Sequence, residues 1–244
     1  MSQTFSQITL HLLSGHMIDS ISEPVMMSWL EAEDNFTILQ DYLSKMNRQV
    51  LMTSDKQGAY LGYMDINEKD SNKAIRQSFN KMSVLLYPLI LWLRLVRGAT
   101  DSSRPLQAGD MIKLSDLLAS IESSKQLELQ LADITAKLGR QTKEAKKQLH
   151  SLVEFLENDG YLHSVSSTGA LYKATAKWSL LYDQLEYIGK YQHLHSSEHE
   201  QDSPQDSYKK SYQNSFDLHA ADAKAQATSI TLNDNEIETQ HGDS

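Results

Sequence analysis

No cysteine occurs among the 244 residues, which excludes disulfides, thiolate nucleophiles, iron–sulfur clusters and cysteine-based zinc sites together. Glycine is scarce, with ten residues, and neither G-x-G-x-x-G nor G-x-x-x-x-G-K is present, so no phosphate-cradling loop is expected. H-E-x-x-H is also missing. Long apolar runs are lacking too: the most apolar stretch, Val84–Val96, spans 13 residues and is broken by Pro88 and Arg94. As a helix it would reach about 20 Å, short of the ~30 Å of a bilayer core. The opening Met-Ser-Gln-Thr-Phe-Ser-Gln has neither the basic start nor the apolar core of a secretory signal. These absences lead us to expect a soluble, cytoplasmic protein without a membrane segment. What is present is ordinary globular composition, 40% hydrophobic and 23% charged, in a length suited to one or two domains.

Charge is unevenly spread. Of the formal net charge of −9, ten acids against three lysines beyond residue 190 account for −7, leaving −2 for the first 190 residues. An acidic total therefore does not argue against a nucleic-acid partner. Residues 191–244 are rich in Ser, Gln, Asp, His and Asn, with too few large apolar side chains to offset the ordering of their own backbone, and read as a disordered acidic tail. Within it Tyr208, Tyr212 and Phe216 recur every four residues, the spacing of one helix face. His193, His195 and His199 have a metal-like spacing but no carboxylates arranged to orient them, so they read as solvated. His11, His16, His150 and His163 are scattered, and Glu31 and Glu33 sit in loop-like sequence. No catalytic residue and no cofactor is expected.

The rest of the chain reads twice as helices followed by a hairpin. In the first half, Phe36, Leu39, Tyr42, Leu43 and Met46 form one helical stripe, with Asp34 or Asn35 placed to cap it. Two β-rich runs follow, Gln49–Thr53 and Ala59–Met64, joined by Ser54-Asp55-Lys56-Gln57-Gly58, with Gly58 expected at a positive φ. Shorter helices are expected at Phe5–Leu13 and about Pro24–Trp29. In the second half, Leu114–Ile121 and part of Leu127–Leu138 read as helices, with Gly139 ending the second. Thr142 is then placed to cap a third helix whose apolar positions are Ala145, Leu149, Leu152, Val153 and Leu156, closed by Gly160. Strand runs Tyr161–Val165 and Ala170–Thr175 complete the order of a winged helix, a helix-turn-helix variant.

Between the halves, Glu68–Val96 is helical in pattern and strongly apolar. Pro88 should kink it or start a new helix, since proline cannot donate to Val84. So much apolar surface must be wrapped by the two halves or buried in a subunit interface. The expected fold is mainly α with small β-hairpins (α+β): an N-terminal winged-helix domain over residues 1–100 that includes the long apolar helix, a second over 105–190, and the tail.

The sharpest local charge signal precedes and opens the third helix of the second half. Lys137, Arg140, Lys143, Lys146 and Lys147 against Glu144 give +4 over eleven residues, while Glu154, Glu157 and Asp159 crowd its end. This order opposes the helix dipole, which favours anions at the N-terminus by about 0.3–1 kcal/mol per charge. An incoming phosphate would meet both lysines and free amides there. Lys173 and Lys177, in or after the second hairpin, extend the patch. No Arg and Asn combination is placed for bidentate base contacts, so sequence-independent, salt-sensitive duplex binding is expected. A solvated helix face is the plain alternative. A free-standing winged-helix transcriptional regulator is another, and a structural adaptor that never touches DNA a third.

The order of segments resembles MukE and MksE, the tandem winged-helix subunits of MukBEF-type bacterial condensins. The stretches that carry the resemblance are Leu12-Leu13-Ser14-Gly15-His16-Met17-Ile18, Phe36–Met46 leading into Gln49-Val50-Leu51-Met52 and Gly58-Ala59-Tyr60-Leu61, and the apolar helix about Phe79–Leu95. They continue with Lys147–Tyr161, its hairpin and Leu171-Tyr172-Lys173-Ala174-Thr175. The resemblance covers most of residues 10–190, and the acidic tail fits it. It implies a non-enzymatic, nucleoid-associated subunit that forms a homodimer and binds a kleisin (MukF- or MksF-like) bridging an SMC ATPase. It further implies non-specific contact with double-stranded DNA, in chromosome segregation or plasmid defence. Where MukE-like chains keep this helix basic up to the wing, Glu157, Asn158 and Asp159 stand here, so the implied DNA-binding residues are Arg140, Lys143, Lys146, Lys147 and Lys173.

Overall fold

The computed structural model describes residues 3–100, 102–140, 142–166 and 169–198, with side chains described up to residue 190. The described chain is mainly helical, with two three-stranded antiparallel sheets.

The first half begins with α1 (Gln3–Leu13), which buries Phe5, Ile8 and Leu12, an i, i+3, i+7 stripe. The two-residue β1 (Ile18–Asp19) follows, then α2 (Pro24–Leu30) with proline in its first turn, and α3 (Glu33–Ser44). Strands β2 (Arg48–Met52) and β3 (Gly58–Tyr63) pair in register Val50↔Leu61, and β1 adds to the other edge of β3 through Ile18↔Ala59. The α1 stripe, Ile18, Met27, Leu30, Leu39, Leu43, Val50 and Ala59 form one core. Buried Asp19 is satisfied locally, its Oδ1 accepting from the amides of Ile21 (2.7 Å) and Ser22 (2.8 Å).

Two local expectations differ from the structure. α3 starts one residue before Asp34 with Ala32 at its cap and no side-chain cap bond. Asn35 instead donates from Nδ2 to the carbonyl of Trp29, tying α3 to α2. In the hairpin turn it is Lys56, not Gly58, that has a positive φ (58°). Gly58 is needed for space: a Cβ there would lie 2.1 Å from Met17 Cε and 2.8 Å from Ala176 Cβ.

One helix, α4 (Lys69–Thr100), joins the halves and continues through Pro88. Its start is held by Asn47, whose Nδ2 has the Asp65 carbonyl (3.2 Å), Ser71 Oγ (3.0 Å) and Glu68 Oε2 as acceptors around its two N–H groups. Its 32 residues are long and apolar enough by composition to cross a membrane, yet its last third is packed inside the protein. Pro88, Leu89, Trp92, Leu95 and Val96 are buried there, and Leu89 onward joins the core of the second half. That burial outweighs the missing hydrogen bond at Pro88, since each fully buried side chain contributes about 1.5–3 kcal/mol. Between these anchored ends, residues 76–81 and 83–84 are exposed, with Phe79 at 51% and Val84 at 74%.

The second half follows the same strand–helices–hairpin plan with one more helix: β4 (Met111–Lys113), α5 (Leu114–Glu122), α6 (Lys125–Lys137), α7 (Ala145–Asn158), β5 (Leu162–Ser164) and β6 (Leu171–Ala174). β6 is central, pairing with β4 through Ile112↔Tyr172 and with β5 through Leu162↔Ala174. Gly139 and Gly160 end α6 and α7 at φ 68° and 77°, as the sequence implied. Thr142 does not cap α7; Glu144 occupies the cap position, and the Thr142 carbonyl accepts from Gln148 Nε2 at 2.6 Å. The loop before β4 is pinned by a bidentate pair of Arg104 with Asp110, both bonds 2.7 Å.

A further helix, α8 (Lys177–Glu198), was not expected from the sequence, and it carries helix eight residues past the point where the structureless segment was placed. Trp178 and Leu181 on it are fully buried in the second core. Its first turns also meet the first hairpin: Ser54 N–H donates to Asp183 Oδ2 (2.9 Å) and Ser179 Oγ to Asp55 Oδ2 (2.5 Å). Residues 199–244, including Tyr208, Tyr212, Phe216 and His199, lie outside the described residues, as do the side chains of His193 and His195.

Candidate nucleic-acid interface

α7 is a helix of one narrow apolar face. Leu149, Leu152, Val153 and Leu156 are buried at 0–1% exposure, Ala145 is half-buried, and Gln148 turns inward to bond the preceding loop. Because that face is fully used, the lysines between its positions must point outward. Lys146, Lys147 and His150 are exposed, and so is Lys143 two residues ahead of the helix. No acidic side chain stands in the first turn and no basic one in the last, so charge order and dipole are opposed in the folded helix as in the sequence.

The structure brings three of the five expected DNA-contacting residues together and sets two apart. Lys143, Lys146 and Lys147 share the N-terminal end of α7. Lys147 Nζ lies 3.0 Å from Glu144 Oε1, but both groups are about two-thirds exposed, and such surface pairs contribute little. Lys143 and Lys146 have no ion pair among the described residues. Arg140 turns back along α7: its guanidinium bonds the carbonyl (3.2 Å) and hydroxyl (3.3 Å) of Ser151 and lies over the Phe155 ring. Lys173 sits on the central strand β6, half-buried, opposite Met111 and His163 in the register. Tyr172 and Ala174 on either side of it are buried, so Lys173 is on the sheet face away from the core.

Other basic residues near this region are already engaged. Lys177 Nζ lies 3.1 Å from Asp159 Oδ2 and 4.7 Å above the Tyr161 ring, which ties down the acidic end of α7 and removes Lys177 from the patch. Lys137 pairs with Asp133 (3.3 Å) and lies over Tyr87 of α4. Sequence reasoning missed Ser151 and Asp159 as the groups that sort free cations from engaged ones. A four-residue excess of charge in sequence does not say which guanidinium folds back on its own helix.

A concave surface of about 420 Å³ lies elsewhere, between α4, α5 and α6, lined by Arg94, Gly98, Ser120, Ser124, Leu127 and Gln130. It brings together no nucleophile and base. Among the described residues no group of three His, Asp or Glu side chains could hold a metal ion. Burial raises the pKa of Tyr161, helped by the charge of Asp159. Tyr182, whose hydroxyl donates to the Leu106 carbonyl at 2.6 Å, is pushed up to about 12 by burial and by Asp110. Both phenols serve packing and stay protonated at neutral pH.

Residues 3–186 match the family described as condensin complex protein MksE. The chain therefore belongs to that family, a non-catalytic structural component of a condensin complex. Membership implies a cytoplasmic, chromosome-associated protein. No curated protein matches the sequence.

Proposed function

We propose that the chain is a non-enzymatic accessory subunit of an SMC-type bacterial condensin. It is built as two winged-helix modules, residues 1–100 and 105–190, followed by an acidic tail. The observation that carries this reading is the family match over almost the whole described chain. The repeated strand–helices–hairpin order, from β1 to β3 and from β4 to β6, supports the winged-helix assignment.

In this reading the subunit forms a homodimer, binds a kleisin chain that bridges the SMC ATPase, and contacts double-stranded DNA without reading sequence. The exposed middle of α4 supports the dimer: Phe79 and Val84 stand in water there and gain burial against a second copy. The unpaired Lys143 and Lys146, with Lys147 beside them, support phosphate contact at α7. The assembly acts in chromosome organisation or plasmid defence.

Co-expression with the kleisin-like chain encoded in the same genome tests the reading. A stable complex surviving gel filtration at moderate salt is expected. A chain that binds no kleisin yet selects one operator by ~10³ over random DNA would instead be a transcriptional regulator.

A further inference from the structure

Two histidines that the proposed function does not use are held side by side by the end of α1. Gly15 adopts φ +82°, and the chain turns so that Gly15 N–H donates to the Leu12 carbonyl (2.9 Å) and His16 N–H to the main-chain carbonyl of His11 (3.2 Å). These two bonds are the paired closure of a helix that ends in a left-handed residue. Their consequence is that the imidazoles of residues five apart in sequence lie side by side, with centroids 5.1 Å apart and planes tilted by 42°.

The chemistry of the pair is defined on one side. His11 Nε2 lies 3.1 Å from the Met17 carbonyl; a carbonyl only accepts, so Nε2 carries the proton, and in the neutral ring Nδ1 is the nitrogen with a lone pair. A ring nitrogen donating to a backbone carbonyl while the other is free is the orientation found behind metal-ligating histidines. His16 is exposed, and its side chain has no hydrogen bond or ion pair among the described residues. The spacing also fits: with metal–nitrogen bonds of 2.0–2.1 Å, each ring centre lies about 3.2 Å from the ion, and two rings sharing it are about 4.5–5.2 Å apart for donor angles from square to tetrahedral. The carboxyl end of α1, with its partial negative charge, favours a cation.

We propose that His11 and His16 form a binding site for one divalent late-transition-metal ion of the zinc, nickel or copper class, with water completing its coordination. The site stands independently of the condensin reading.

The test uses the full chain with its tail histidines (His193, His195, His199, His219 and His241) changed to asparagine, titrated with Cu²⁺ and followed by electron paramagnetic resonance. One equivalent bound with two nitrogen donors is expected, and His16→Ala should weaken binding at least tenfold without moving the melting curve, because His16 is exposed. A smaller loss of affinity, or a spectrum showing fewer than two nitrogens, overturns the proposal. His11→Ala also loses the bond to Met17, so His16→Ala carries the decision.

Discussion

Ser179 Oγ donates to Asp55 Oδ2 at 2.5 Å, joining residues 124 positions apart. Asp55 stands in the turn of the first hairpin and Ser179 in the first turns of α8, so this bond and the adjacent Ser54–Asp183 contact (2.9 Å) clasp the first half to the second. Thr53 Oγ1 (2.6 Å) and the Gln57 amide (3.0 Å) also donate to Asp55. Gly58 completes the clasp by letting the turn approach Ala176.

The clasp should be measurable. Burial pushes the Asp55 carboxyl up, but hydrogen bonds from Ser179, Thr53 and Gln57 outweigh it and hold it below the usual carboxylate range. A depressed folded value means stability that is present above the unfolded pKa and lost as pH falls through the folded one. Asp55→Asn should therefore flatten the acid limb of a stability–pH curve below about pH 4. Ser179→Ala should cost about 1 kcal/mol in urea unfolding at pH 7, and most of that cost should vanish in the Asp55→Asn background.

The middle of α4 bears on self-association. Phe79→Asp with Val84→Asp should weaken dimerisation at least ~tenfold, given about 1.5–3 kcal/mol for each fully buried side chain. Light scattering across micromolar concentrations checks this. Both side chains are exposed in the single chain, so the melting temperature of the monomer should hardly change. An unaltered mass would remove this stretch from the interface.

For DNA, the prediction concerns salt as much as affinity. Lys143→Glu with Lys147→Glu should weaken duplex binding by the kleisin complex equally for all sequences. The slope of log K against log salt should fall by about 2, one for each lost phosphate contact. Arg140→Ala should do less to binding and more to stability, since its guanidinium is spent on Ser151. Fluorescence anisotropy at several salt concentrations distinguishes the two outcomes.

Alkaline conditions probe the second core. Burial, with a smaller contribution from the Asp110 charge, raises Tyr182 to about 12. A raised folded value means stability that is intact below the unfolded pKa of about 10 and lost as pH climbs toward the folded one. Tyr182→Phe should be less stable at pH 8, having lost the bond to Leu106, but should lose less further stability between pH 10 and 11.5. Denaturant melts at these pH values measure the difference.

How much of this was legible in the chain depends on range. α7 was readable because five apolar residues repeat on one narrow face and Gly160 stops it. β1 and β4 were not, because two or three residues carry no alternation and become strands only by pairing with β3 and β6. α8 was hidden by the polar composition that follows it, although Trp178, Leu181 and Leu185 follow helical spacing. The candidate interface was legible as a charge excess but not as a surface. Arg140 and Lys177 leave it through contacts with Ser151 and Asp159 that spacing does not reveal.

Composition and periodicity alone determined the helices with wide apolar stripes, the two hairpins, the lysine-rich opening of α7 and the acidic tail, because each depends on residues within a few turns of one another. Only the tertiary structure decided how α4 divides between anchored ends and an exposed middle, which cations stay free, and that Gly58 is a point of contact rather than a bend. Those outcomes rest on meetings between residues up to more than a hundred positions apart, and local backbone preference carries no information about who arrives on the other side.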